Sequence, residues 1–143
     1  MTIQQLSIFI ENKAGTLLTV LQTLKSAGIQ LIASTIADTV DYGIYRIICS
    51  EPMRAYGELK AAGVSVAISD VFALSLDNQV GRAADAVAIL SEAGIGITYM
   101  YSFLLGEKGI LVFRTDQPEL TRETIILNNL SFVEEKDLFT LVK

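Results

Sequence analysis

The strongest constraint on this chain is an internal repeat: shifted on itself by 66 residues, the step from Gly15 to Gly81, its halves come into register. Ile10-Glu11-Asn12-Lys13-Ala14-Gly15 falls on Leu76-Asp77-Asn78-Gln79-Val80-Gly81, and Ala27-Gly28-Ile29 falls on Ala93-Gly94-Ile95. The same offset carries Leu24 to Leu90, Gly43-Ile44 to Gly109-Ile110 and Pro52 to Pro118. With one extra residue, Asp70-Val71-Phe72-Ala73-Leu74 recurs as Asp137-Leu138-Phe139-Thr140-Leu141. Whatever fold satisfies one half must serve both. The 143 residues therefore divide into modules 1–70 and 71–143, each small enough to be marginal alone.

Each half reads as strand, helix, strand, strand, helix, strand. Leu6 to Ile10 is a short apolar strand closed by the turn from Asn12 to Gly15. Leu17, Val20, Leu21 and Leu24 then recur at helical spacing, and Gly28 stops the helix. Ile29 to Ala37 and Ile44 to Ser50 are predicted strands about the turn at Asp38 to Gly43. Pro52 opens a helix to about Ala62, Gly63 ends it, and Val64 to Ser69 is the fourth strand. The second half repeats the pattern with Phe72 to Leu76, Arg82 to Ala93, Ile95 to Leu104, Ile110 to Thr115, Pro118 to Leu127 and Phe132 to Glu135. Leu138 to Val142 reads as one more strand. It either extends the last one or opens a third module that stops, pairing with an open sheet edge.

This βαββαβ order predicts an α+β chain: two ferredoxin-like modules in tandem, with antiparallel sheets and helices on one face. Apolar residues fall on both sheet faces, since Phe9 alternates with Ile8, and Ile47 and Cys49 with Ile44 and Ile48. The face without helices needs cover, from the sister module or from a second chain.

Composition narrows the function. Half the residues are apolar (51%) and the mean hydropathy is +0.46, yet no apolar run reaches the roughly 18 residues of a membrane span. The start, Met1-Thr2-Ile3-Gln4-Gln5, lacks the pattern of a signal peptide, so a cytoplasmic protein is expected, with no membrane partner. Eleven basic against sixteen acidic residues leave no footprint for nucleic acid. Cys49 is single and set in an apolar run, which predicts a small buried hydrophobe. Histidine is absent, which removes the imidazole of a triad, a neutral proton shuttle or a zinc site. No catalytic residue, metal or cofactor is expected.

Fold alone assigns no activity. RNA-binding modules of this topology show aromatics flanked by basic residues, whereas Tyr99 and Tyr101 alternate with Met100 in an acidic chain. A copper chaperone's Cys-x-x-Cys loop is missing. Acylphosphatase-like chemistry needs an arginine in the first loop; Arg82 sits near that place, but Thr16 holds it in the other half.

The strand–helix loops carry more. The first turn of a helix offers backbone N–H groups and the positive end of its dipole, where a carboxylate can sit. A glycine lets it approach closely. Asn12 to Gly15 and Asn78 to Gly81 both open such helices, although an Asn-x-x-Gly turn also forms with no ligand at all.

With these loops on the page, the sequence resembles the ACT domain, a ferredoxin-like module that regulates amino-acid metabolism by binding amino acids. That family's Asn-x-Pro-Gly loop and Ala-Gly-Ile-Asn-Ile segment are matched by Asn12, Gly15 and Ala27-Gly28-Ile29, and by Asn78, Gly81 and Ala93-Gly94-Ile95. Its Asp-Pro-Glu-Lys-Ala helix start is echoed by Glu51-Pro52-Met53-Arg54-Ala55 and Gln117-Pro118-Glu119. Stand-alone tandem ACT proteins are similar at Asp38-Thr39-Val40-Asp41-Tyr42-Gly43-Ile44 and Tyr99-Met100-Tyr101-Ser102-Phe103. The loop proline is replaced by Ala14 and Val80, and the asparagine of the second motif by Gln30 and Gly96.

The resemblance implies a regulatory amino-acid-binding protein without catalytic activity, its ligand held between two modules against the loops at Asn12 to Leu17 and Asn78 to Ala83. Ala14, Gly15, Thr16 and Leu17 would line the first loop, with the N–H groups of Gly15 and Thr16 on the carboxylate. Asn12 and Gln30 would meet the ammonium or side chain. Asn78, Val80, Gly81, Arg82 and Ala83 would form the second site, and Tyr99 and Tyr101 a wall. Asp38 and Arg46 would pair across the turn. A homodimer is expected, together with a partner enzyme of amino-acid metabolism. The rival reading is an assembly module that docks on such an enzyme and binds no small molecule.

Overall fold

The computed structural model describes residues 1–11, 14–38 and 42–141. Six antiparallel strands and five helices follow in order: β1 (Ile3–Glu11), α1 (Thr16–Ser26), β2 (Leu31–Asp38), β3 (Tyr42–Cys49), α2 (Pro52–Ala61), β4 (Ser65–Asp77), α3 (Arg82–Glu92), β5 (Ile97–Leu105), β6 (Lys108–Thr115), α4 (Pro118–Leu127) and α5 (Glu135–Leu141). The chain forms two units, Gln4–Ser69 and Asp70–Lys143, the latter also taking Met1–Ile3. Strand order is β2-β3-β1-β4 in the first unit and β4-β6-β5 in the second.

The repeat is a repeat of core positions. In the first unit Leu6 and Ile8 of β1, Val20 and Leu24 of α1, Ile29, Tyr45 and Ile47 of β3 and Leu59 of α2 form one buried cluster. In the second, Phe72, Leu74, Ala86, Leu90, Ile95, Leu111, Phe113 and Ile125 form the other. Each second set member lies 66 residues beyond its twin. Two twins turn polar and are satisfied locally. Cys49, a buried thiol, becomes Thr115, whose Oγ1 accepts from the Gln117 N–H at 3.1 Å. Ala55 becomes Thr121, whose Oγ1 donates to the Gln117 carbonyl at 2.8 Å. A buried hydroxyl so bonded does not carry the cost of an orphan.

Ile47 and Cys49 thus face the helices with Ile8, while Phe9, paired with Ile44 across β1 and β3, lies on the other face with its ring 6.1 Å from that of Tyr42.

The Ala-Gly-Ile segments are helix terminators. Gly28 takes a left-handed φ of 72°, its N–H donates to Lys25 O and the Ile29 N–H donates to Leu24 O. That is a Schellman end, with Ile29 buried in the same cluster as Leu24. Gly94 and Ile95 repeat it against Ser91 and Leu90. The residue after each glycine is spent on the helix end. Hence β2 starts at Leu31 and β5 at Ile97, two residues later than apolarity alone predicts.

Three further boundaries differ from expectation. The segments Val64 to Ser69 and Phe72 to Leu76 run together as β4, because Ser69-Asp70-Val71 contains neither glycine nor proline to break an extended chain. The last strand, expected at Phe132 to Glu135, is reduced to a bridge between Leu74 and Phe132, flanked by Ser75 N–H to Ser131 O and Val133 N–H to Ala73 O, both 2.8 Å. The segment Leu138 to Val142 is not a strand: α5 occupies Glu135–Leu141, and Val142 lies outside the described residues. Its start is closed reciprocally. The Asp137 carboxylate accepts from the Glu134 N–H at 3.2 Å, while the Asp137 N–H donates to Glu134 O at 3.0 Å. This N-terminal closure outcompetes alternation, and Leu138 is fully buried.

Each second helix is tied to the end of the first. Arg54 donates to Ala27 O at 2.6 Å and forks onto Glu51 at 2.6 and 3.2 Å, and Gln117 donates to Gly94 O at 3.0 Å. The hydrogen bond from Arg54 holds the Glu51 carboxyl below its ordinary value. A depressed folded pKa adds stability that is present above the unfolded value, about 4.3, and lost as pH falls through the folded one. The melting temperature of Glu51→Gln should therefore lie below wild type at neutral pH and converge on it in acid, below about pH 4. A gap that stays constant to pH 2 would remove Glu51 from this account.

Candidate functional site

The loop before α1 ends on Gly15, whose φ of 95° and ψ of −20° belong to the left-handed region that glycine enters freely. Gly81 stands before α3 with φ 88° and ψ −1°. At both positions a Cβ would meet no atom within 4 Å, so the backbone faces open space. As N-caps, these glycines bring no side-chain oxygen to the first helical turn.

A cleft of about 330 Å³ adjoins the first loop, lined by Phe9, Ile10 and Glu11 of β1, Thr16, Thr19 and Val20 of α1, and residues 62–65. Thr16 Oγ1 donates to Glu11 O at 2.8 Å, which clips the end of β1 to the start of α1. Leu17 turns away and packs on the core. Ala14 is exposed in the turn, and Asn12 lies outside the described residues.

The second loop borders a cleft of about 320 Å³ between residues 76–83 and the β5–β6 hairpin. Asn78, Arg82 and Ala83 line it, opposite Ser102, Phe103 and Leu104. Val80 is fully exposed in the turn. Arg82 is held on three sides: Nε to Asp77 Oδ1 at 2.5 Å, one terminal nitrogen to Gln79 Oε1 at 3.0 Å, and the other to Asp85 Oδ2 at 3.3 Å. Chiefly through the bond to Asp77, the guanidinium is held above its ordinary value. One cation between two carboxylates leaves this cleft mixed in charge, whereas the charged group lining the first is the acid Glu11.

Other expected site residues lie elsewhere. Gln30 follows α1, at the opposite end of the helix from Gly15: its N–H donates to Ser50 Oγ at 2.9 Å, and it borders a separate hollow of about 440 Å³ with Leu21, Lys25 and Gly28. The eleven residues of α1 separate it from Gly15, roughly 16 Å at 1.5 Å per residue. Tyr99 and Tyr101 pair with Arg114 and Val112, on the opposite sheet face from the core residues Leu111 and Phe113, and neither lines the second cleft. Arg46 is cross-strand from Ser7 and Thr35, while the Asp38 side chain lies outside the described ones. Asp77, Gln79 and Asp85 were not anticipated; the spacing of Arg82 from Asp85, one helical turn, is a sequence signal for Asp85 alone.

Among the described residues no group of three or more His, Cys, Asp or Glu is placed to hold a metal ion, and no helix is long and apolar enough to cross a membrane.

The sequence matches the family described as the ACT domain pair over residues 1–142. The chain is 37% identical to protein BT0572 from Bacteroides thetaiotaomicron, covering 99% of this chain and 98% of that one, with a TM-score of 0.93. Its fold is also similar to the regulatory subunit of aspartate kinase from Thermus thermophilus, at 12% identity, 87% and 91% coverage and a TM-score of 0.60. Aspartokinase III of E. coli, in complex with lysine and aspartate, shares the fold at 12% identity and a TM-score of 0.52, with 88% of this chain and 31% of that one covered. No curated protein matches the sequence.

Proposed function

The chain belongs to the ACT domain pair family, and on that premise we propose that it is a regulatory protein of the cytoplasm that binds a free amino acid and catalyses no reaction. The observation that carries this reading is the recurrence, in both modules, of a left-handed glycine opening a helix beside a cleft of amino-acid size. The ligand carboxylate would take the N–H groups at Gly15 and Thr16, or at Gly81 and Arg82, by charge-assisted bonds. Its ammonium would face Glu11 or Asp77. Gln30 stands too far along α1 to serve the loop of its own module, so its part in the site requires a second module, of this or another copy, closing over the ligand.

The first loop should dominate. A carboxylate that approaches Arg82 must compete with Asp77, Gln79 and Asp85 for the same donors, while among the described residues no arginine lines the first cleft. A thermal-shift screen of the twenty amino acids should find one that adds roughly 2.7 kcal/mol at a hundred times its dissociation constant. Thr16→Arg, which fills the first cleft, should remove most of that shift, and Arg82→Ala should remove less. If Arg82→Ala abolishes the shift and Thr16→Arg does not, the second loop is the site.

The alternative is assembly without a ligand, as a homodimer or docked on a partner enzyme of amino-acid metabolism. It is favoured by the strands that end each sheet order, β2 and β5, which carry exposed Ile36, Met100 and Leu104. A screen with no stabilising amino acid, together with a concentration-dependent dimer by light scattering, selects it.

A further inference from the structure

The second unit carries a further cavity, which shares Ile110 with the second cleft but takes no residue of either loop. The register of β6 puts Lys108, Ile110 and Val112 on the face opposite Leu111 and Phe113, away from α3 and α4. Residues 131–133 and Asp137 of α5 border one end of that face. Between them lies a space of about 300 Å³, floored by Ile110 and Val133, walled by Leu105 and Phe132, and bordered by Lys108 and Asp137. Ile110 and Val133 are 2% and 6% exposed, whereas Phe132 is 38% exposed, a large ring turned partly to solvent beside an apolar floor.

We propose that this cavity is a second ligand site, for an α-amino acid with an apolar side chain. Its volume lies at the lower end of ligand pockets, about 300–1,000 Å³, which restricts the occupant to a small molecule. Its lining is mostly apolar, with the small polar side chains of Ser75 and Ser131, and its border offers one cation and one anion. Lys108 matches the carboxylate and Asp137 the ammonium, while Leu105, Ile110, Phe132 and Val133 enclose the side chain. A ligand with only one charge satisfies only one of these groups. The site also has a built-in readout. A seven-residue helix is unstable by itself, so α5 depends on what lies beneath it. A ligand whose ammonium engages Asp137 adds a contact to α5.

The test is calorimetry on the full chain with L-leucine, and with 4-methylpentanoate and isoamylamine as its carboxylate-only and amine-only counterparts. Leucine should bind at least tenfold more tightly than either counterpart and should slow amide exchange across Glu135–Leu141. Lys108→Glu should weaken leucine at least tenfold, and Ser75→Leu, which pushes a side chain into the space, should abolish binding. Thr16→Arg and Arg82→Ala, which alter the two loop clefts, should leave leucine binding here unchanged. The site is refuted if leucine gives no heat at millimolar concentration, or if Lys108→Glu and Ser75→Leu bind it like wild type. Loss of leucine binding in Thr16→Arg or Arg82→Ala alone would return it to the loops, which upholds the proposed function and rejects this site.

Discussion

Phe113→Ala should lower the stability of the second unit by about 3–5 kcal/mol, the usual cost of deleting a buried phenylalanine and leaving its cavity. Phe113 is fully buried, and its ring stacks on Phe72 with centroids 5.6 Å apart and planes at 22°. Truncation therefore removes both apolar burial and an aromatic pair worth about 0.5–1.5 kcal/mol beyond its area. The twin position, Ile47, is equally buried but has no ring partner. Ile47→Ala should cost less, about 2–4 kcal/mol. Urea unfolding of both variants measures the difference. Equal losses would mean that the stacked pair adds nothing to packing.

Gly15→Ala should weaken amino-acid binding by on the order of tenfold to a hundredfold, the worth of one hydrogen bond to a charged group. The effect is specific because the free protein has room for the new methyl: no atom lies within 4 Å of it. The methyl would occupy the path of the carboxylate instead. Alanine at a φ of 95° also carries backbone strain of about 1–3 kcal/mol, which binding data must be freed from. Gly94→Ala is the control, since it is left-handed at 81°, faces equally open space and borders neither loop. It should lose similar stability and keep wild-type affinity by calorimetry. If both variants bind alike, Gly15 does not touch the ligand.

The fold was legible in the sequence because the offset of 66 residues links positions that share one burial environment, as Leu24 and Leu90 or Leu59 and Ile125 do. Apolar spacing located every helix of the two repeats, and Pro118 to Leu127 matches α4 residue for residue. What escaped depends on partners that pattern does not encode. The Schellman ends take Ile29 and Ile95 from the strands that their branched side chains suggest. β4 runs through the repeat boundary since nothing there prevents it. The loop glycines were visible as motif, and the structure gives both a left-handed backbone. Gln30 was grouped with them on family resemblance, and only the length of α1 shows that one module cannot bring both to one ligand. The neutralising grip on Arg82 needed coordinates, because Asp77 and Gln79 come from the strand end and the turn.

The pentad Asp70 to Leu74 lies in β4, yet its near-copy Asp137 to Leu141 lies in α5. Local sequence is thus nearly indifferent between two conformations, and the reciprocal closure at Glu134 and Asp137 decides. An extended second copy of the pentad would offer its edge to another strand, the start of open-ended pairing. Coiled into α5, residues 137–141 present no extended backbone for such pairing.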